Sequence, residues 1–131
     1  MFNRKKAPSN AIESLIGAST VIEGNIRFHG GLRIDGQVRG DVIAEDDVPS
    51  VLVLSEQARV IGRVRADNVI VNGSIEGPVQ AQELLELQPM ARISGQVSYR
   101  ALEIHPGAII EGTMAHLEDE RPGLKLASKQ G

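Results

Sequence analysis

Apolar and polar residues alternate along most of this chain. In Ile34-Asp35-Gly36-Gln37-Val38-Arg39-Gly40-Asp41-Val42, every even position is aliphatic or glycine and every odd position is polar or charged. The same alternation runs from Ala58 to Ala66 with one break at Ile61, from Val71 to Ala81, and from Ala91 to Tyr99. A period of two is the pattern of a strand with one buried face. No stretch of this zone shows the 3.6-residue period of an amphipathic helix.

A short word repeats on top of the alternation: aliphatic, any residue, glycine, any residue, aliphatic. Its copies are Ile22–Ile26, Ile34–Val38, Val60–Val64, Val71–Ile75, Ile93–Val97 and Ile110–Met114. Recurrence on this scale marks a repeat architecture. Gly24, Gly40, Gly62, Gly77, Gly95 and Gly112 fall at steps of 16, 22, 15, 18 and 17 residues. The long step contains Ala44–Ser50, whose acids, proline and serine read as a surface loop between strands. Helical repeats need about 33–47 residues, so a period of this length does not fit them. It fits a coil in which each turn holds three short strands joined at bends, with glycine at tight corners.

The expected fold is therefore all-β: a single-domain parallel β-helix of about six turns, triangular in section. Stacked at about 4.8 Å per turn, it makes a rod of roughly 30 Å. Residues 18–116 form this core. Residues 1–17 are a basic lead-in ending in the patch Ile12, Leu15 and Ile16, and residues 117–131 are charged, broken by Pro122 and Gly123, and expected to be disordered.

Solenoid turns bury their aliphatics only against neighbouring turns, so the two end turns need caps. The last turn, Leu102–Met114, still alternates and is followed by no capping helix pattern. At the other end, Val21, Ile22 and Ile26 have only the Ile12–Ile16 patch before them. Open ends expose apolar rows and unpaired backbone, and another copy of the same end covers them.

The composition narrows the function classes. The chain has 131 residues, 41% hydrophobic but only 2% aromatic, so short branched side chains must fill the interior. There is no cysteine, which excludes disulfides and thiolate chemistry and fits a reducing compartment. The start, Met1-Phe2-Asn3-Arg4-Lys5-Lys6, is not an apolar signal core, and no run reaches the length that spans a bilayer. A cytoplasmic location is expected. The net charge is −3, and residues 18–116 carry 13 acids against 8 bases, all arginine. An acidic body without a basic stripe argues against nucleic acid as a partner. No phosphate-cradling Gly-Lys-Ser/Thr word is present, so no nucleotide is expected to drive assembly.

The words Gly31-Leu32-Arg33-Ile34-Asp35-Gly36 and Ala108-Ile109-Ile110-Glu111-Gly112, with about six turns and short flanks, resemble bactofilins. The resemblance covers about residues 18–116 and implies a right-handed coil. It implies a bacterial cytoskeletal scaffold that polymerises without nucleotide into non-polar filaments, through end-to-end contacts between cores. It implies a short N-terminal segment that targets the inner face of the cytoplasmic membrane, and service to cell-shape or cell-wall synthesis or remodelling machinery. The end-contact role then falls on Val21, Ile22 and Ile26 at one end and Ile104, Ile109, Ile110 and Met114 at the other. Family members often carry an aromatic where this chain has Ile109-Ile110, so the contact here is expected to be aliphatic. The membrane role falls on Met1, Phe2, Arg4, Lys5 and Lys6, where each cation near an anionic leaflet contributes about 1 kcal/mol.

No catalytic, cofactor or metal residues are expected. His29 and His105 stand at bends and His116 near the end, with no partner motif. Glu45-Asp46-Asp47 reads as a solvated loop rather than a ligand cage. Arg59, Arg63 and Arg65 are placed on the outer side of one strand, facing acids such as Glu76 on a neighbouring turn. Two rival readings have discriminators. A left-handed hexapeptide-type acyltransferase also has turns of about 18 residues, and Leu54 to Val60, Leu87 to Ile93 and Ile104 to Ile110 are each six apart, but Ile34, Val38 and Val42 step by four. A non-polymerising β-solenoid adaptor differs from the filament reading only in whether its ends adhere, which size exclusion decides.

Overall fold

The computed structural model describes residues 11–118. All regular elements in that span are strands, fifteen in number. The first turn holds β1 (Ser14–Ile16), β2 (Val21–Glu23) and β3 (Ile26–Phe28), and the second holds β4 (Gly31–Ile34), β5 (Gln37–Arg39) and β6 (Val42–Ala44). The third begins with β7 (Val51–Leu54) and β8 (Arg59–Ile61) and runs into β9 (Val64–Val71), which turns the corner into the fourth. Then follow β10 (Ser74–Glu76), β11 (Val79–Leu87), β12 (Arg92–Ser94), β13 (Val97–Ile104), β14 (Ile109–Glu111) and β15 (Met114–His116). The long strands β11 and β13 cross corners as β9 does, so fifteen strands supply six turns.

Every pairing is parallel and joins one turn to the next, giving three faces. On the first face, β1, β4 and β7 stack on the second halves of β9, β11 and β13. On the second, β2, β5, β8, β10, β12 and β14 stack in order. On the third, β3 and β6 stack on the first halves of β9, β11 and β13 and on β15.

The alternation sets what lies inside. One inward column on the second face reads Ile22, Val38, Val60, Ile75, Ile93, Ile110. Another reads Ile26, Val42, Val64, Val79, Val97, Met114 on the third face, and a third reads Ile16, Ile34, Leu54, Val71, Leu87, Ile104 on the first. The four middle members of each column are almost fully buried. Among the described residues no buried side-chain polar atom lacks a hydrogen-bond partner, so the interior is apolar and the polar groups are settled at its rim.

The glycine ladder marks one corner. Gly24, Gly40, Gly62, Gly77, Gly95 and Gly112 all have positive φ. They sit directly over one another: a Cβ on Gly77 would lie 2.2 Å from the carbonyl oxygen of Gly62, and one on Gly62 would lie 2.1 Å from that of Gly40. Only glycine allows both the conformation and the approach. The next residue in each turn carries a second ladder. The Asn25 side-chain oxygen accepts the Asp41 N–H at 2.8 Å, and the Asp41 carboxylate accepts the Arg63 N–H at 2.9 Å. Pro78 comes next and has no N–H to satisfy, so Arg63 needs no acceptor there.

Two local expectations change. Residues 34–42 do not form one strand; they occupy three faces, with Ile34 in β4, Val38 in β5 and Val42 in β6. Arg59, Arg63 and Arg65 likewise do not share a strand: Arg59 is in β8, Arg65 in β9, and Arg63 lies at the corner between them. Glycine at inward corner positions bends the chain without shifting the in–out phase, so the sequence alternates straight through a turn. The coil also begins inside the expected lead-in, since β1 pairs with β4. Ile16 is then the first inward residue of its column.

Candidate functional site: the open ends of the coil

The inward columns are sealed in the middle of the rod and open at both ends. Ile34, Leu54, Val71 and Leu87 are at most 1% exposed, yet Ile104 in the same column is 51% exposed. Val97 is fully buried, and Met114 below it is 43% exposed. The cause is the absence of a further rung among the described residues, since these side chains point inward as their column does. Ile109 points outward beside them at 42%. At the other end the columns begin with the half-buried Ile16, Ile22 and Ile26, beside which the outward Leu15 and Val21 are 61% and 54% exposed and Ile12 is also exposed. Six of the eight exposed large hydrophobic residues thus lie in the two end turns; Val48 and Met90 are the others.

The expected end residues divide by depth. Val21, Ile104, Ile109 and Met114 are exposed, whereas Ile22, Ile26 and Ile110 are partly buried and pack on the core from above and below. Sequence reading missed Leu15, the most exposed of the end aliphatics, because it placed the start of the coil later. The signal available was its place in the apolar patch Ile12, Leu15 and Ile16, which the structure pairs with the second turn. The end strands also leave one edge of backbone N–H and C=O groups without a neighbouring strand.

Elsewhere the surface chemistry is self-contained. The acidic loop is clamped residue by residue: Arg27 pairs with Glu45 at 3.3 Å, Arg65 with Asp46 at 3.2 Å and His29 with Asp47 at 3.1 Å. Its return is fixed by Ser50, which is buried: the Ser50 N–H donates to Asp67 at 3.0 Å, and the Asp67 N–H donates to the Ser50 hydroxyl at 2.9 Å. Arg59 meets Glu76 at 2.7 Å across one turn. His116 Nε2 lies 3.0 Å from the Arg100 carbonyl oxygen and its ring packs edge-on to Tyr99. Arg33 donates to Asp35 at 2.8 Å, which holds the Asp35 carboxyl below its ordinary value against the opposing effect of burial.

The spacing of His105 gave no hint of its neighbours. It lies 3.3 Å from Glu86, with Glu103 beside them, and the three side chains converge within 4.8 Å. Glu86 and Glu103 are directly in register on adjacent strands, where like charges repel; a protonated His105 offsets that repulsion. A shallow groove of about 250 Å³ on the second face is lined by Arg92, Ser94, Ile109 and Glu111 among others, and no histidine lines it. No helix among the described residues is long and apolar enough to cross a membrane. Met1, Phe2, Arg4, Lys5 and Lys6 lie outside the described residues.

Comparison with known proteins agrees with the coil. The chain is similar to bactofilin BacO of Myxococcus xanthus (strain DK1622), 27% identical over 101 residues, covering 77% of each chain. It is also similar to bactofilin BacP of the same organism, 27% identical over 117 residues, or 89% of this chain. The chain spans about half the length of BacP, 47% of it. Among solved structures it resembles the Thermus thermophilus bactofilin seen by cryo-EM as double helical filaments, with a TM-score of 0.66 and 30% identity over 78% of this chain and 99% of that one. The model of the polymer-forming cytoskeletal bactofilins matches residues 14–115, from the first strand of the coil to the last. A six-turn parallel coil with an aliphatic interior is thus matched in sequence and in structure: this chain belongs to the bactofilin family of polymer-forming cytoskeletal proteins.

Proposed function

We propose that this chain assembles into filaments by end-to-end contact of its coils, without nucleotide, and that the end turns are the contact surfaces. The observation that carries this reading is the exposure of Ile104 and Met114 at the foot of columns that are otherwise sealed. These side chains are about half exposed, so covering each is worth roughly half of the 1.5–3 kcal/mol of full burial, about 0.7–1.5 kcal/mol. Several per end, together with an unpaired backbone edge, drive association strongly. At the N-terminal end the same columns finish at Ile16, Ile22 and Ile26, which are half-buried, and the exposed Ile12, Leu15 and Val21 surround them on the first turn, as Ile109 does beside Ile110 at the other end. Like ends meeting across a two-fold axis produce filaments without polarity. The protein so described is a scaffold and not an enzyme.

The variants that test this must spare the coil. Ile110 packs partly on the core, so a charge there damages its own turn. Ile104→Lys with Met114→Lys places charge on exposed positions instead. The expected result is short soluble species by size exclusion, with an unfolding temperature close to that of the parent. Full-length filaments from the double variant would count against this end, and Ile12→Lys with Val21→Lys tests the exposed rim of the first turn at the other.

The assembled filament acts at the inner face of the cytoplasmic membrane, where it organises cell-shape or cell-wall synthesis and remodelling proteins. Support comes from Met1, Phe2, Arg4, Lys5 and Lys6, an apolar wedge beside three cations. One such tail binds weakly, but a filament presents many and binds by avidity. Deletion of residues 1–8 is expected to spare assembly and to reduce co-sedimentation with anionic vesicles. Undiminished vesicle binding would remove the membrane role.

A further inference from the structure

We propose that the first face of the coil is a side-to-side docking surface for a second copy of this chain, running antiparallel across a two-fold axis. The inference rests on the filament reading above and adds the contact that joins two strands of coils.

The observation is an outward column on that face. Successive rungs place Arg33 beside Val53, Val53 beside Ile70, and Ile70 beside Glu86. Two aliphatics therefore stand at the centre, with a cation one rung above them and an anion one rung below. Leu84, on the same strand as Glu86, widens the apolar centre. Val53, Ile70 and Leu84 are half-buried and retain contactable surface. On the third face Ile43 stands between two arginines, Arg27 and Arg65, and on the second Ile61 stands alone between Arg39 and Glu76, so only the first face sets two aliphatics side by side between opposite charges.

The four central rungs of this column are self-complementary, whereas the outermost members, Leu15 above Arg33 and Glu103 below Glu86, are not. Rungs lie about 4.8 Å apart, so Arg33 and Glu86 sit at equal distances either side of the midpoint between Val53 and Ile70. A two-fold axis through that midpoint brings Arg33 of one copy against Glu86 of the other, twice, and Val53 against Ile70, twice. A parallel arrangement in the same register would set Arg33 against Arg33 and Glu86 against Glu86, which is repulsive. Charge selects the antiparallel pair, as it commonly fixes orientation at interfaces.

Arg33 has N–H groups to spare, and beside Glu86, which already meets His105 and accepts from Gln88, Glu103 is the uncommitted acid. Arg33 engages Asp35 through Nε, and a guanidinium has further N–H groups to offer. Glu86 and Glu103 stack in register with His105 against them. Among the described residues Glu103 makes no ion pair. A second copy's Arg33 reaches this acidic pair and relieves its repulsion. Strands wound about each other, as in the Thermus thermophilus filaments, need a lateral contact that the ends of the coil do not provide.

Charge reversal tests it, read as strand number per filament by negative-stain electron microscopy and mass per length. The parent is expected to show paired strands. Arg33→Glu and Glu86→Arg alone each set like charges across the axis and are expected to give single strands, with mass per length halved. Combining the two restores the attraction and the pair. A further variant, Ile70→Asp, is expected to part the strands without touching either charge; circular dichroism on all four confirms the coil. Paired strands in both single charge variants would overturn the proposal, as would failure of the combined variant to recover them. Parent filaments made of single strands would also overturn it and leave end-to-end assembly standing, whereas a parent that forms no filament at all defeats the end-to-end reading itself.

Discussion

Gly77 occupies a position that only glycine fits. Its φ of 145° and the carbonyl of Gly62 beneath it both oppose a side chain. Gly77→Ala is expected to cost at least the roughly 1–3 kcal/mol of such backbone strain, read as a large fall in unfolding temperature. Gly17→Ala is the control, since a Cβ there meets nothing within 4 Å. Asp35 offers a second test at this scale. Its carboxyl is held below 3.8, first by the hydrogen bond from Arg33 and then by Ser55 and the Arg33 charge, against desolvation. A lowered folded-state pKa stabilises the coil above the unfolded value, and that contribution is lost as pH falls through the folded one. Arg33→Met is expected to move the Asp35 titration upward in an NMR pH series; an unmoved titration would remove Arg33 as the cause. The inward aliphatics and the glycine steps were legible in the sequence because alternation and spacing are local signals. The Asn25–Asp41–Arg63 ladder was not. Its members are 16 and 22 residues apart, and no local pattern says which rungs stack.

Strands here are short because corners interrupt them, and the period-two pattern hides the corners. From Ala58 to Ala66 the sequence reads as one strand with a break at Ile61. The coil divides it at Gly62 into β8 and β9, on different faces. The break was the visible trace of the corner: Ile61 is an outward residue of β8, paired in register with Arg39 and Glu76. The 22-residue step was read as a turn carrying an insertion, and the acidic loop accounts for it. What the insertion touches was beyond local reading, because Arg27, His29 and Arg65 come from the turns on either side of it. Stacking also makes the cost of a truncation depend on the rung. Ile75 and Ile22 share a column, yet Ile75 is fully buried and Ile22 only partly. Ile75→Ala is expected to cost about 2–5 kcal/mol in chemical denaturation. Ile22→Ala is expected to cost less in dispersed protein, and to approach the Ile75 value once filaments cover the end.

As a whole the molecule is a short rod whose flanks carry ion pairs and whose two end turns hold six of the eight exposed large hydrophobic residues among the described residues. Its exposed ion pairs, such as Arg27–Glu45 and Arg65–Asp46, contribute little individually to stability. They pair Arg27, Arg33, Arg39, Arg59 and Arg65 with acids and so leave little unpaired positive charge to attract a polyanion. The columns inside are uniform from turn to turn, so nothing in the core limits the coil to six turns except where the alternation stops. Growth by adding another molecule is then the continuation of the same stacking by other means. The legible part at this scale was the run of turns as far as Met114; the first rung at Ser14–Ile16 was hidden by its small size and polar flank. The most direct test is electron microscopy of the purified protein in plain buffer, with neither nucleotide nor metal added. Thin filaments that persist under those conditions are the expected result. A uniform field of small particles, unchanged across salt and protein concentration, would contradict assembly through the open ends.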